Sequence, residues 1–203
     1  MIEKNEIKSQ KLFIKSLLDK FQLKNSEESI RTIFHSLLGI GIYLLIAVIP
    51  KSYIVIGLFK LGIAPALAVI AVVGSIKGPI AGFLTGYLGT LFYDLSLYST
   101  IVNYTLPYLA YGLMGFIVGL ARYNPKDGRS LAKLSFISTG SFILAILLIT
   151  VIGLTIEQLP ILIVMGFVLL PLITVGIPSV FLFTPLYARF WNFFISKLST
   201  KEI

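Results

Sequence analysis

The sequence contains no cysteine, one histidine and few charged residues. The absence of cysteine excludes disulfide bonds and thiolate metal sites. The single histidine, His35, excludes the histidine pairs on which many metal sites and catalytic dyads depend. Proteases and phosphatases that work inside membranes need such a set or paired aspartates, whereas only Asp94 lies near an apolar stretch. We therefore expect no enzymatic activity, no cofactor and no metal site.

Apolar residues make up 57% of the 203-residue chain, and its mean hydropathy is +0.94. A water-soluble domain cannot bury this much apolar surface, so the composition predicts an all-α integral membrane protein. Six apolar runs are each long enough to span a bilayer. They lie at about 32–50, 54–74, 79–95, 104–121, 135–156 and 161–190. The last run contains prolines at positions 171, 178 and 185, which predict a kinked helix.

Basic residues are distributed unevenly among the segments that connect these runs. With six spans and a cytoplasmic N-terminus, 15 of the 17 lysines and arginines are cytoplasmic, and only Lys51 and Lys60 are outside. Cytoplasmic loops of membrane proteins carry this kind of excess. The sequence therefore predicts a multi-pass plasma-membrane protein with six spans and both termini inside. The net charge of +8 is explained by an anionic membrane surface, and we expect no nucleic-acid partner.

Residues 1–31 form the strongly polar part of the chain. Apolar residues at helical spacing, such as Ile14, Leu18 and Phe21, alternate there with lysines. This pattern fits a basic amphipathic helix on the cytoplasmic leaflet, and it also fits a tail that only orients the protein. A capping-box pattern, Asn25 with Glu28, predicts a new helix from about Ser26. We assign residues 1–31 to a cytoplasmic segment and residues 32–203 to one six-helix transmembrane domain.

Glycines recur at helical spacing in the third and fourth runs. In the first of these runs they are four residues apart, and they leave one helix face almost without side chains. The fourth run repeats the pattern, so we predict that the two helices pack together. The predicted packing residues are Gly78, Gly82, Gly86, Gly112, Gly115 and Gly119.

Polar side chains collect at the predicted outer ends of the helices. Lys60 and Asp94 are the leading pair, because charges inside a membrane need partners. Such an ion pair fits two roles, locking two helices together or holding complementary groups of a ligand. Tyrosines near Asp94 also fit two roles, as ordinary interface residues or as the wall of a site for a flat ring. The candidate substrate-binding residues are Lys60, Tyr93, Asp94, Asn103, Tyr104, Tyr108 and Glu157.

Several motifs together resemble a known family of membrane proteins. A helix containing proline leads into a Gly-Pro turn at Gly78 and Pro79, and a glycine-spaced helix follows with the late aspartate Asp94. The next helix carries Gly-Leu-Met-Gly at positions 112–115. In this order the motifs resemble the substrate-binding S components of energy-coupling factor (ECF) vitamin transporters. The resemblance covers roughly residues 62–120.

The resemblance implies a membrane subunit that captures a vitamin-like molecule on the outer side. It also implies a transmembrane T component and two cytoplasmic ATPase subunits as partners, which would supply the energy for uptake. In the family, small residues on the first helix contact the T component. The strict motif is missing here, and Ser36, Gly39 and Gly41 are the nearest candidates.

Two other functions fit part of the sequence. An MreD-like scaffold of cell-wall morphogenesis has a similar helix count and a glycine-rich helix that ends in aspartate, but it lacks the Gly-Pro turn and the Gly-Leu-Met-Gly motif. A proton-driven carrier would need a chain of buried acidic residues, which this sequence lacks. The identity of the substrate stays open, because aromatic residues suit flavins, pterins, biotin and other ring compounds alike.

Overall fold

The computed structural model describes residues 26–48, 53–56, 59–99, 106–121, 123 and 128–199. Its first helix, α1 (Ser26–Ala47), confirms the predicted start near Ser26. Glu27 and Glu28 lie in its first turn, where acidic side chains stabilise the positive end of the helix dipole. The amphipathic segment predicted for the N-terminus lies outside the described residues and stays a prediction.

The remaining elements follow one another with short connections. They are the strands β1 (Tyr53–Ile56) and β2 (Phe59–Gly62), then the helices α2 (Ala66–Lys77), α3 (Pro79–Tyr98), α4 (Leu106–Leu120) and α5 (Gly128–Thr155). A helical turn, Ile161–Ile163, then leads through the π-helical segments Val164–Leu169 and Leu172–Gly176 into α6 (Ile177–Ser199). The described residues thus form six main helices and one β-hairpin.

The hairpin corrects the prediction of a membrane span at about 54–74, because the helix in this run begins only at Ala66. β1 and β2 pair in antiparallel fashion, with Val55 opposite Lys60. The sequence of β1, Tyr-Ile-Val-Ile, consists of aromatic and β-branched residues that favour strands. Pro65 precedes α2, which has 12 residues and is about 18 Å long at 1.5 Å per residue. This length is well short of the roughly 30 Å hydrocarbon core.

Helix α2 lies at the centre of the bundle. Its residues from Ala66 to Gly74 are all buried, and it contacts α1, α3, α4 and α6. A helix that is apolar on every side has no face suited to water, so it needs neighbours all round. Helices α1, α3, α4 and α6 are therefore arranged around α2.

Glycine backbones bring α2, α3 and α4 into direct contact. A Cβ atom on Gly82 would collide with the carbonyl of Gly115, and one on Gly115 would collide with the carbonyl of Gly82. Gly74 of α2 approaches the same Gly115 carbonyl. On the neighbouring turn, a Cβ on Gly112 would come within 3.0 Å of the Phe83 ring. Three helices thus meet at a point where no side chain fits between their backbones.

The same close packing continues toward both ends of α3 and α4. A Cβ on Gly86 would collide with the carbonyl of Tyr111, and one on Gly119 would collide with Pro79. Because early residues of α3 face late residues of α4, the two helices are antiparallel. Gly78 connects α2 to α3 with a φ of 92°, which a residue with a side chain rarely adopts.

Prolines shape the last helical run, which we expected to be kinked. The backbone is π-helical on both sides of Pro171, consistent with proline's missing N–H group. Inside α6, Pro185 cannot bond to the carbonyl of Phe181, and Ser135 of α5 donates its hydroxyl to that carbonyl at 2.5 Å. Ser179 accepts a hydrogen bond from the Ala64 amide at 2.7 Å, which ties the start of α6 to the segment before α2.

Three helices are long and apolar enough to cross a membrane, among the residues that the structure describes. These stretches are Glu27–Ala47, Gly128–Thr155 and Leu172–Asn192, while α2 and α4 are shorter apolar helices. Large apolar side chains also cover the outside of the bundle, with Leu45 75% and Phe136 66% exposed. Such a surface suits lipid and not water.

The glycine contact predicts a specific loss of stability. In Gly115→Ala the new Cβ would meet the Gly82 carbonyl and lie 2.9 Å from Ile70, so we expect destabilisation of about 1–3 kcal/mol. Thermal unfolding in detergent, followed by circular dichroism, measures it. Gly140→Ala is the control, because nothing lies within 4 Å of that Cβ position. Equal unfolding temperatures for the two variants would contradict the prediction.

Candidate functional site

A hydrogen bond joins the end of α3 to the start of α4. The hydroxyl of Tyr108 donates to Oδ2 of Asp94 at 2.6 Å. Tyr108 is 3% exposed, whereas Asp94 is partly exposed. The antiparallel glycine packing places these two residues at the same end of the bundle. A carboxylate at the edge of an apolar bundle thereby gains a donor that offsets part of its desolvation.

Aromatic rings from four other positions lie near this pair. Tyr43 of α1 is 4% exposed and makes an edge-to-face contact with Tyr93, with the ring centroids 6.5 Å apart. Tyr111 of α4 stacks on Phe142 of α5 at 5.7 Å. The charge of Asp94 acts electrostatically on both Tyr43 and Tyr111. The site therefore combines one carboxylate with several tyrosines from α1, α3 and α4.

Tyr43 and Phe142 were not among the candidates chosen from the sequence. The signal for Tyr43 is indirect and lies in Gly89 of α3. A Cβ at Gly89 would come within 3.2 Å of the Tyr43 ring, so the glycine leaves room for that ring. Phe142 lies within the long apolar sequence of α5, where nothing distinguishes it from a lipid-facing residue.

The other candidate residues lie in different surroundings. Lys60 belongs to β2, but its side chain lies outside what the structure describes, as do Asn103 and Tyr104. Glu157 is exposed in the connection after α5, beside Gln158, which has a φ of 49°. The pairing of Lys60 with Asp94 therefore stays a prediction. The structure brings together Tyr93, Asp94 and Tyr108.

The three residues suggested for a partner contact lie on two faces of α1. Ser36 is 2% exposed and donates its hydroxyl to the Thr32 carbonyl at 2.7 Å. Gly39 faces Thr85, whose Oγ1 would lie 2.6 Å from an added Cβ. Gly41 is exposed, with nothing within 4 Å of its Cβ position. Ser36 and Gly39 thus pack inside this chain, which leaves Gly41 on the surface.

The described part of the chain contains no group of three or more histidine, cysteine, aspartate or glutamate side chains that could hold a metal ion. The Asp94 site offers hydrogen bonding, charge and contact with aromatic faces. These are the interactions that bind a small polar ring compound.

The chain matches the model of a known protein family. A family model described as "ECF-type riboflavin transporter, S component" matches residues 28–195. The chain belongs to this family. No curated protein and no solved structure matches it significantly. The matched region of this S component extends from the first turn of α1 into α6, so it includes the hairpin, the glycine contact and the Asp94 site.

Membership in this family gives the protein a general role. An S component is the substrate-binding subunit of a membrane transporter and not an enzyme. The resemblance inferred from the Gly-Pro turn and the Gly-Leu-Met-Gly motif is thereby confirmed. The match starts after residue 27, so it does not include the basic N-terminal segment.

The hydrogen bond between Tyr108 and Asp94 predicts an energetic coupling. We expect Tyr108→Phe to lower the free energy of unfolding by about 1.5–3 kcal/mol, the usual range for a bond to a charged group. A double-mutant cycle with Asp94→Ala, measured by unfolding in one detergent, isolates the pair. Asp94→Asn removes the charge but keeps an oxygen that accepts hydrogen bonds, so it separates the contribution of the charge from that of the hydrogen bond. Additive effects of the Tyr108 and Asp94 changes would mean that the bond contributes nothing.

Proposed function

We propose that this S component captures riboflavin, or a closely related flavin, on the outer side of the plasma membrane for uptake driven by ATP. The family match over residues 28–195 carries the proposal, because the matching family is described as a riboflavin transporter component. The Asp94 site supports it with a carboxylate next to aromatic rings. A flavin has a flat aromatic ring system with an N–H donor and carbonyl acceptors on its edge.

The proposed topology has six spans and both termini in the cytoplasm. The distribution of lysine and arginine supports this orientation. Antiparallel packing supports it too, since α3 runs opposite to α4, and Ser135 and Phe142 of α5 contact Phe181 and Gly176 in reverse order. The Asp94 end of α3 lies opposite the end that contains Lys77 and Gly78, so Asp94 faces outward when Lys77 faces the cytoplasm.

Within the site, we assign direct ligand contact to the partly exposed residues Tyr93 and Asp94. The buried Tyr108 and Tyr43 position them, through the hydrogen bond to Asp94 and the ring contact with Tyr93. A carboxylate oxygen can accept from the flavin N–H group or from a sugar-alcohol hydroxyl. Further candidates for the outer mouth are Lys60, Asn103, Tyr104 and Glu157.

The proposed partners are a transmembrane T component and two cytoplasmic ATPases. A stripe on the exposed face of α1 suits the T component, because Ile33, Leu37, Gly41 and Leu45 recur every four residues. Small residues let two membrane helices approach closely, and Gly41 provides the gap in this otherwise bulky stripe.

Ligand identity provides the first test of this proposal. We expect the protein, purified in detergent and then denatured, to release a stoichiometric flavin that mass spectrometry identifies. We also expect Asp94→Asn to weaken flavin binding roughly tenfold to a hundredfold, by loss of a charge-assisted hydrogen bond. Flavin fluorescence quenching measures the affinity.

Glu27→Gln is the control for this substitution, since Glu27 is exposed at the other end of the bundle. Unchanged affinity in Asp94→Asn would place the site elsewhere. An empty protein that binds no vitamin would favour the MreD-like scaffold instead.

Partner capture provides a second test. Gly41→Leu adds bulk to the exposed stripe, so we expect it to reduce copurification with the T component while flavin affinity stays unchanged. Gly140→Leu is the matched control, since both glycines are exposed in helices with open space at the Cβ position. Normal capture by Gly41→Leu would exclude this face of α1 as the coupling surface.

A further inference from the structure

A groove runs along one side of the bundle, where α1 and α6 both pack beside α2. Its apolar part encloses about 450 Å³. Side chains from all three helices line it, including Ile42 and Ile46 of α1, Val69 and Val73 of α2, and Tyr187 and Trp191 of α6. The groove thus lies between α1 and α6, over the buried valines of the central helix.

A polar cavity lies where α1 begins and α2 ends. It encloses about 310 Å³ and is lined by Glu28, Arg31, Thr32, His35, Ile76 and Lys77. Arg31 and Lys77 contribute two positive charges, and Glu28 contributes one negative charge. The His35 ring is held there by its Nδ1, which lies 2.6 Å from the Arg31 carbonyl and donates to it in the matching tautomer.

The polar cavity and the apolar groove lie next to each other. A small third pocket of about 20 Å³ between them shares His35 and Lys77 with the polar cavity, and it shares Ile42, Val72 and Trp191 with the apolar groove. We call the whole feature the α1–α6 groove. It is basic at one end and apolar along the rest of its length.

The charges at the basic end favour an anion. Partial burial lowers the pKa of Lys77, and the nearby charge of Arg31 lowers it further. Arg31 and Lys77 line the same cavity, so the two cations are close enough to repel each other. An anion placed between them would relieve this repulsion, and the carboxylate of Glu28 offsets only one of the two charges.

We propose that the α1–α6 groove binds an anionic phospholipid of the cytoplasmic leaflet. Its phosphate lies between Arg31 and Lys77, and one acyl chain lies along α2. From Lys77 back to Val69, α2 extends about 12 Å at 1.5 Å per residue. This length fits within one leaflet, which is half of a hydrocarbon core about 30 Å thick.

Charge favours a lipid of this class over the alternatives. The cytoplasmic leaflet is rich in anionic lipids, and basic side chains at its surface attract them. A neutral lipid would fill the apolar part without using the basic end, and a free phosphate would leave the apolar part unused. The proposal rests on the proposed orientation but not on the vitamin site, so lipid binding and flavin binding can fail independently.

Lipid exchange in nanodiscs tests the proposal. Purified full-length protein is titrated with phosphatidylglycerol and with phosphatidylcholine of identical acyl chains, and binding is measured by native mass spectrometry. We expect phosphatidylglycerol to bind more tightly. Each basic residue near a membrane surface contributes a factor of about five, so Arg31→Gln with Lys77→Gln should reduce the preference about 25-fold.

Lys133→Gln is the matched control, because Lys133 is an exposed basic residue in the first turns of α5 and does not line the groove. The unfolding temperature in phosphatidylcholine discs checks that the double variant folds. Loss of the preference in the folded double variant, with its retention in Lys133→Gln, supports the proposal.

Three outcomes would overturn it. Equal binding of the two lipids to the unmodified protein would show that the basic end recognises nothing. Competition by inorganic phosphate at matched concentration would assign the basic end to a free anion. A double variant that keeps the lipid preference but loses the T component would identify the groove as a protein-docking surface.

Discussion

The backbone contact between α2, α3 and α4 determines the rest of the arrangement. Gly74, Gly82 and Gly115 leave no side chain between the three helices, so carbonyl groups and Cα atoms pack directly on one another. Lipid tails are as apolar as leucine, and the hydrophobic effect does little to join helices in a bilayer. Close packing of small residues provides that attraction instead. The antiparallel pairing of α3 with α4 follows from this contact.

That pairing also produces the polar site. Asp94 and Tyr108 are 14 residues apart in sequence, and they form a hydrogen bond because the glycine faces hold their helices close. The room left by Gly89 admits the Tyr43 ring from α1. One set of small residues therefore packs the bundle and positions the polar groups at one end of it. A site of this kind needs no flexible loop to bring its carboxylate and tyrosines together.

The sequence predicts the parts of the fold that are encoded by residue type and spacing. Glycines every four residues predicted the packing of α3 with α4, and the late aspartate with its tyrosines predicted the polar end. Hydropathy did not predict the hairpin at 54–74, because an apolar run indicates burial and not backbone conformation. A hairpin followed by a short helix therefore has the same hydropathy as a single membrane span. Small residues on α1 were ambiguous for a similar reason. Ser36 and Gly39 allow close packing inside the chain as readily as against a partner.

The central helix α2 makes backbone contacts on one side and side-chain contacts on the other. Gly74 fixes α2 to α3 and α4 by backbone contact, whereas its valines, such as Val69 and Val73, face the groove between α1 and α6. A branched side chain against a groove can adapt to a different occupant, but a carbonyl against a Cα atom cannot shift without separating the helices. The α3–α4 contact therefore does not depend on the side chains that line the groove. Helix α1 connects the two sides, because Tyr43 packs at the Asp94 site while its neighbour Ile42 lines the groove.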